Sequence, residues 1–226
     1  MKIVCILIWV MVTAAMLSLW IWGYLKRVKE VKDACSERFG TDCRKQLLVR
    51  WGYIGWNIGL AGVAAFFVYR YASGWFAIIR LLVMFVAFAA AAIVDLLVHK
   101  IPNILVVIVL LARVIIWIPE IICQPSHWLQ TIAGSVISML AAFILLLILS
   151  KLSRGGLGMG DVKLITAQAF LCGVYSVMNT LIFGLLACVV AAIILVLSSK
   201  KGMKDAIAFG PFLYIGYVIS LFLGAF

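Results

Sequence analysis

The stretch "WFAIIRLLVMFVAFAAAAIVD", residues 75–95, decides the architecture. Its one early charge, Arg80, is followed by fourteen consecutive apolar residues, and the run then ends on a carboxylate, Asp95. At a rise of about 1.5 Å per residue the run is ~30 Å long, the thickness of a bilayer's hydrocarbon core. Trp75 at one end suits an interface, and Asp95 falls at the opposite boundary. A carboxylate costs roughly 2.5–3.5 kcal/mol at the centre of a span and less at its edge, so such residues usually face protein.

The rest of the chain has the same character. Of 226 residues, 67% are hydrophobic and only 12% are charged. The mean hydropathy is +1.24. A soluble core of this length could not bury so much apolar surface. The expected fold is therefore all-α, a polytopic integral membrane protein with about eight transmembrane helices. Spans of roughly 20 residues fit at 3–25, 52–72, 75–97, 103–118, 128–150, 162–178, 180–197 and 207–225. The first is too long for a signal-peptide core and lacks a small-residue cleavage site, so it reads as retained. Pro102, Pro119, Pro125 and Pro211 are expected at helix edges or in loops, where proline's missing N–H breaks no ladder.

Lysines and arginines set the orientation, because cytoplasmic connections carry the positive excess. One set of alternate connections holds the basic segment 26–50, Lys100, Lys151, Arg154, Lys163, Lys200, Lys201 and Lys204. The other holds Lys2, Arg70, Arg80 and Arg113. Both termini are thus expected outside and the basic loops in the cytoplasm. The net charge of +11 then reflects topology and contact with membrane lipids, and nothing in it calls for nucleic acid. The segment 26–50 reads as a basic helix on anionic headgroups.

Cysteine usage adds no framework. Cys5, Cys172 and Cys188 fall in expected spans, and Cys35 and Cys43 in a reducing cytoplasmic loop. That last pair has seven residues between its members and no neighbours to complete four ligands, so no metal site and no cofactor are expected.

The acidic residues outside 26–50 are Asp95, Glu120, Asp161 and Asp205. Glu120 reads as part of an external turn and Asp205 as part of a solvated loop. Asp161 opens the sixth span from the side on which the third ends, so topology alone brings it to the depth of Asp95. Ala87 and Ala91 share the face of Asp95 and allow close backbone approach, while Leu164, Ile165 and Gln168 continue the face of Asp161. Glycines at 155, 156, 158 and 160 permit a sharp entry into the helix. Two adjacent carboxylates share one proton, and such a pair can hydrolyse an amide without a metal or a nucleophilic side chain. His99 is close enough in sequence to Asp95 to bias it, but Pro102 disfavours helix just beyond. Gly55 and Gly59 read as helix packing, and Asn57 and Arg113 as interhelical polar contacts.

The motif "GMGDVKL" at 158–164 resembles the G-x-G-D-x-K signature of the prepilin peptidases, membrane aspartic proteases of the GxGD type. "DLLVHKIPN" at 95–103 is similar to their other aspartate motif, and "FGPFL" at 209–213 to the motif before their final span. The resemblance covers about residues 75–220 and includes order and spacing. It implies that Asp95 and Asp161 are the catalytic pair, with Gly158, Gly160, Lys163, Pro102 and Asn103 as loop or substrate-binding residues. It implies a type IV pilin-like precursor as partner, its basic leader cut at the cytoplasmic face of the plasma membrane, in the company of pilus or secretion machinery. The chain then divides into 1–51, a first helix with a basic loop, and 52–226, the membrane-embedded peptidase. The region 26–50 lacks the paired CxxC motifs of members that also methylate the new amino terminus, so methyl transfer is not expected. An alternative of another class is a transporter or assembly component that uses the intramembrane carboxylates for proton or cation handling.

The orientation is open to single-cysteine labelling. Positions in 26–50, 151–160 and 199–205 are expected to react from the cytoplasm and positions in 120–127 from outside; external labelling of 151–160 would invert the topology.

Overall fold

The computed structural model describes residue 62 and residues 74–98, 101–152, 157–197 and 209–224. The expected span at 3–25, that at 52–72 apart from residue 62, the segment 26–50, His99 and Asp205 lie outside the described residues. Among the described residues all regular structure is helical. Six helices follow in order: α1 Trp75–Val98, α2 Asn103–Cys123, α3 Trp128–Leu152, α4 Met159–Cys172, α5 Val174–Leu197 and α6 Gly210–Phe222. A single 3-10 turn, Pro125–His127, separates α2 from α3. Four segments are long and apolar enough to cross a membrane: α1, α2, α3 with the preceding 3-10 turn, and α5. The full expected count of eight goes beyond these.

Three readings of the sequence need correction. The expected span 162–178 is no single helix, because α4 ends at Cys172 and Gly173 has φ 89° and ψ 171°. That region of backbone space is open essentially to glycine alone, so the chain turns there and α5 starts at once. With 14 residues α4 is ~21 Å long, short of the hydrocarbon core. Pro119 lies inside α2, in its last turns, and not at an edge. Glu120 follows it within the same helix and is buried, so it is no part of an external turn.

The short helix is the centre of the bundle. It packs against α1, α2, α3 and α5, and its Val162, Leu164, Ile165, Ala167, Ala169 and Leu171 are each no more than 1% exposed. The longer α2, α3 and α5 leave most of their apolar side chains on the outside, as helices facing lipid do. α1 is wedged between α2, α4 and α6 and buries Met84, Phe85, Phe88, Ala90 and Ala91 almost completely. α6 closes the bundle on α1 and α5. There Gly216 sits against Gly184, so closely that a methyl group on Gly216 would overlap the backbone of Gly184 and the carbonyl of Thr180. Such contact between small residues is the usual device for packing helices in lipid, where no hydrophobic force draws them together.

At the end of the bundle away from Asp95, three helices share a polar cluster. Arg113 of α2, 1% exposed, donates from Nη1 to Glu120 Oε2 at 2.9 Å and from Nη2 and Nε to Ser135 Oγ of α3 at 2.8 and 3.2 Å. Ser135 in turn donates to the Thr131 carbonyl at 2.9 Å. Arg80 of α1 lies 3.7 Å from Glu120 Oε1. The Arg113 guanidinium also stands 5.6 Å from the centroid of the Trp117 ring, which meets Phe170 of α4 edge-on. The interhelical polar role read for Arg113 is therefore present, and Glu120 is its partner.

Removing one member of a buried ion pair strands the other, at a cost of roughly 3–5 kcal/mol. Glu120→Ala is expected to lower the thermal stability of the detergent-solubilised protein by about that amount. The double change Arg113→Met with Glu120→Leu, which leaves no buried charge unpaired, is expected to recover most of the loss.

Candidate functional site

Asp95 lies one turn before the end of α1 and is buried, whereas its neighbour Leu96 points out. What covers it is the start of α6. The backbone N–H of Gly210 donates to Asp95 Oδ2 at 2.8 Å. A Cβ on residue 210 would fall 2.9 Å from both Oδ2 and Cβ of Asp95, so only glycine lets the α6 terminus come this close. Positive partial charge at a helix N-terminus favours an anion in that position. Pro211 follows in the first turn, where it forfeits no helical hydrogen bond.

Asp161 stands in the first turn of α4, outside the four membrane-length segments. The turn begins at Gly158, which has φ −64° and ψ 139° and bonds through its carbonyl to the Val162 N–H. These are ordinary extended angles, so the sharp entry at this glycine needs no backbone conformation closed to other residues. Its role is room: a Cβ there would be 3.0 Å from Asp161 Oδ2. Asp161 Oδ1 is buried and has no hydrogen-bond partner among the described residues. Burial, and then the charge of Asp95, push the Asp161 carboxyl up from 3.8 to about 7. The two aspartates, far apart in sequence, are thus near enough for one charge to act on the other.

The segment before α2 meets the same turn. Ile101 packs on Gly160, where a Cβ would come within 3.0 Å of the isoleucine's own Cβ. Lys163 Nζ donates to Asn103 Oδ1 at 3.1 Å, on the exposed side of the site. Pro102 caps α2 in an extended conformation, and its carbonyl accepts from the Leu105 N–H at 3.1 Å. Ser150, near the end of α3, donates to the Leu157 carbonyl at 3.1 Å and so ties the approach to α4 from the other side. Gly158, Gly160, Lys163, Pro102 and Asn103 therefore belong to one neighbourhood with Asp161. Gly155 and Gly156 lie outside the described residues.

Gln168, read as a second polar group on the face of Asp161, is fully buried two turns deeper and engages α5. Its Nε2 donates to Thr180 Oγ1 at 2.7 Å and reaches Ser176 Oγ at 3.0 Å. It serves packing between helices. Gly210 and Ile101 were not singled out from the sequence. The "FGPFL" stretch held the signal for Gly210, but only the packing of α6 on α1 discloses that its N–H meets Asp95.

The raised Asp161 carboxyl has a consequence for stability. A buried acid binds its proton up to about pH 7 in the fold, while in the unfolded chain it releases it near 3.8. Its stabilising contribution is complete below the lower value and is lost as pH rises through the upper one. The melting temperature of the wild type relative to Asp161→Asn, which carries no titrating group there, is expected to fall between about pH 4 and about pH 7 and to level off above. A difference independent of pH would contradict it.

Comparison with known families bears on what this arrangement is for. The model of the type IV leader peptidase family matches residues 82–196, just over half of the chain. No curated protein and no solved structure matches it. The matched region contains both aspartates and runs from within α1 into the end of α5. With the motif resemblance and the helical membrane-length architecture, this leads to one statement of kinship: the chain belongs to the type IV leader peptidase family, a family of proteases whose substrates are pilin-like precursors.

Proposed function

We propose that this protein is a membrane aspartic endopeptidase that removes the basic leader from type IV pilin-like precursors at the cytoplasmic face of the plasma membrane, with Asp95 and Asp161 as its catalytic pair. The observation that carries this reading is the half-buried Asp161, whose Oδ1 is buried with no hydrogen-bond partner among the described residues, within electrostatic reach of Asp95. One member of such a pair is charged and takes a proton from water; the other is protonated and polarises the peptide carbonyl. Both needs are met at neutral pH because burial and mutual repulsion keep one proton on the pair.

Gly158, Gly160, Pro102, Asn103 and Lys163 form the rim that receives the substrate. The bond to be cut has to be presented in extended form, since a helical carbonyl is held in its ladder. A pilin-like precursor with its apolar helix in the bilayer and its leader outside would place that bond at the depth of the rim. The activity is peptidase without methyl transfer, given the short segment 26–50. Family membership favours this reading over proton or cation transport, and the bundle offers no internally repeated broken helices of the kind transporters use, among the described residues.

Asp95→Asn and Asp161→Asn are each expected to reduce cleavage of a pilin-like precursor by at least ~10²-fold while leaving insertion and abundance near normal. Asparagine keeps the size but cannot accept and return a proton. Retention of more than about a hundredth of the wild-type rate by either variant would refute the pair.

A further inference from the structure

The two carboxyls occupy unlike surroundings, and their difference assigns them separate roles. Asp95 Oδ2 accepts a 2.8 Å hydrogen bond from the Gly210 N–H at the start of α6. An N–H donor supports a carboxylate and gives nothing to an acid's own O–H. Asp161 has a buried Oδ1 with no donor aimed at it from any described residue. An ionised carboxylate would leave the lone pairs of that buried oxygen unmet, whereas an acid needs fewer partners. Lys163, its nearest cation along the chain, is turned to Asn103.

We propose, on the basis of the aspartic-peptidase reading above, that Asp161 carries the pair's proton and is the acid that polarises the scissile carbonyl, and that Asp95, held by the Gly210 N–H, is the base that activates water. In the first step Asp95 takes one proton from water, the water oxygen bonds to the carbonyl carbon, and the Asp161 proton passes to the carbonyl oxygen, giving a neutral gem-diol. In the second, Asp95 returns its proton to the amide nitrogen as the C–N bond breaks. Asp161 recovers a proton from one gem-diol hydroxyl, leaving a carboxylic acid. The sum is one water consumed, one peptide bond cleaved and both aspartates restored.

No other described group competes for this role. Of the other titratable side chains on the helices packed against α4, Lys151 of α3, Cys123 of α2 and Tyr175 of α5 are exposed, Cys188 of α5 is half-buried, and Arg80, Arg113 and Glu120 cluster at the far end. The charge that acts on Asp161 is that of Asp95, and burial is the larger influence. Loss of the Asp95 charge therefore leaves the main cause of protonation in place.

The test is infrared spectroscopy of the full chain in detergent, with aspartate isotopically labelled at its side-chain carboxyl. At about pH 6 solvated aspartates are ionised, so a labelled protonated-carboxyl band reports a buried acid. The band is expected in the wild type, retained in Asp95→Asn and lost in Asp161→Asn. The reverse pattern, loss in both variants, loss in neither, or no band in the wild type would each overturn the assignment. This readout is independent of turnover. Should either asparagine variant still cleave precursor, the catalytic reading fails whatever the band does; a wrong band pattern with inactive variants removes only the division of roles.

Discussion

Everything at the candidate site depends on one short helix being buried along its length while its first turn carries an acid. α4 has 14 residues, touches four other helices and puts almost no side chain beyond Lys163 and the opening turn at the surface. Burial of that kind holds its axis, because displacing it would uncover apolar side chains on several partners at once. Its N-terminal turn is therefore a fixed platform. Ile101 and Asn103 on one side and Leu157 on the other leave that turn little freedom, and Asp161 inherits their rigidity.

Ionisable groups are concentrated at the two ends of the bundle and solved differently at each. At the end marked by Arg80, charges are compensated: Arg113 has Glu120 and Ser135, and Glu120 has a second arginine nearby. A network with its donors and acceptors matched ties helices together and does no chemistry. At the other end compensation is withheld. Two acids are brought together, Asp95 holds the Gly210 N–H, and among the described residues Asp161 Oδ1 has no hydrogen-bond partner. An arrangement that costs stability in this way is typical of sites that need perturbed acids.

Glycine marks the approaches that make both arrangements possible. Gly210 lets the α6 terminus reach Asp95, Gly160 lets Ile101 close on α4, and Gly216 with Gly184 lets α6 lie flush against α5. These are chiefly matters of space. Gly173 owes its place instead to a backbone angle, and it decides where α4 stops.

Hydropathy and spacing along the chain were enough to reveal helices long and apolar enough to cross a membrane and the ends of α1 and α3 within a few residues, because periodic burial and bilayer thickness act on local sequence. They also carried the motif that leads to the leader peptidase family. They were silent where the answer depends on contacts distant in sequence. Glu120 looked like a residue of a turn because a proline precedes it, and only its packing against Arg113 and Arg80 makes it a buried partner. The apolar run through 162–178 read as one span because a single glycine in it is no firm break, yet the fold places Gly173 at positive φ. Above all, "FGPFL" and Asp95 share no local relation, and their hydrogen bond exists because α6 packs on α1. The sequence by itself singled out the two acids that are proposed to act; the tertiary structure decided how unequally they are held, since a hydrogen bond and a missing one are properties of neighbours that only folding brings together.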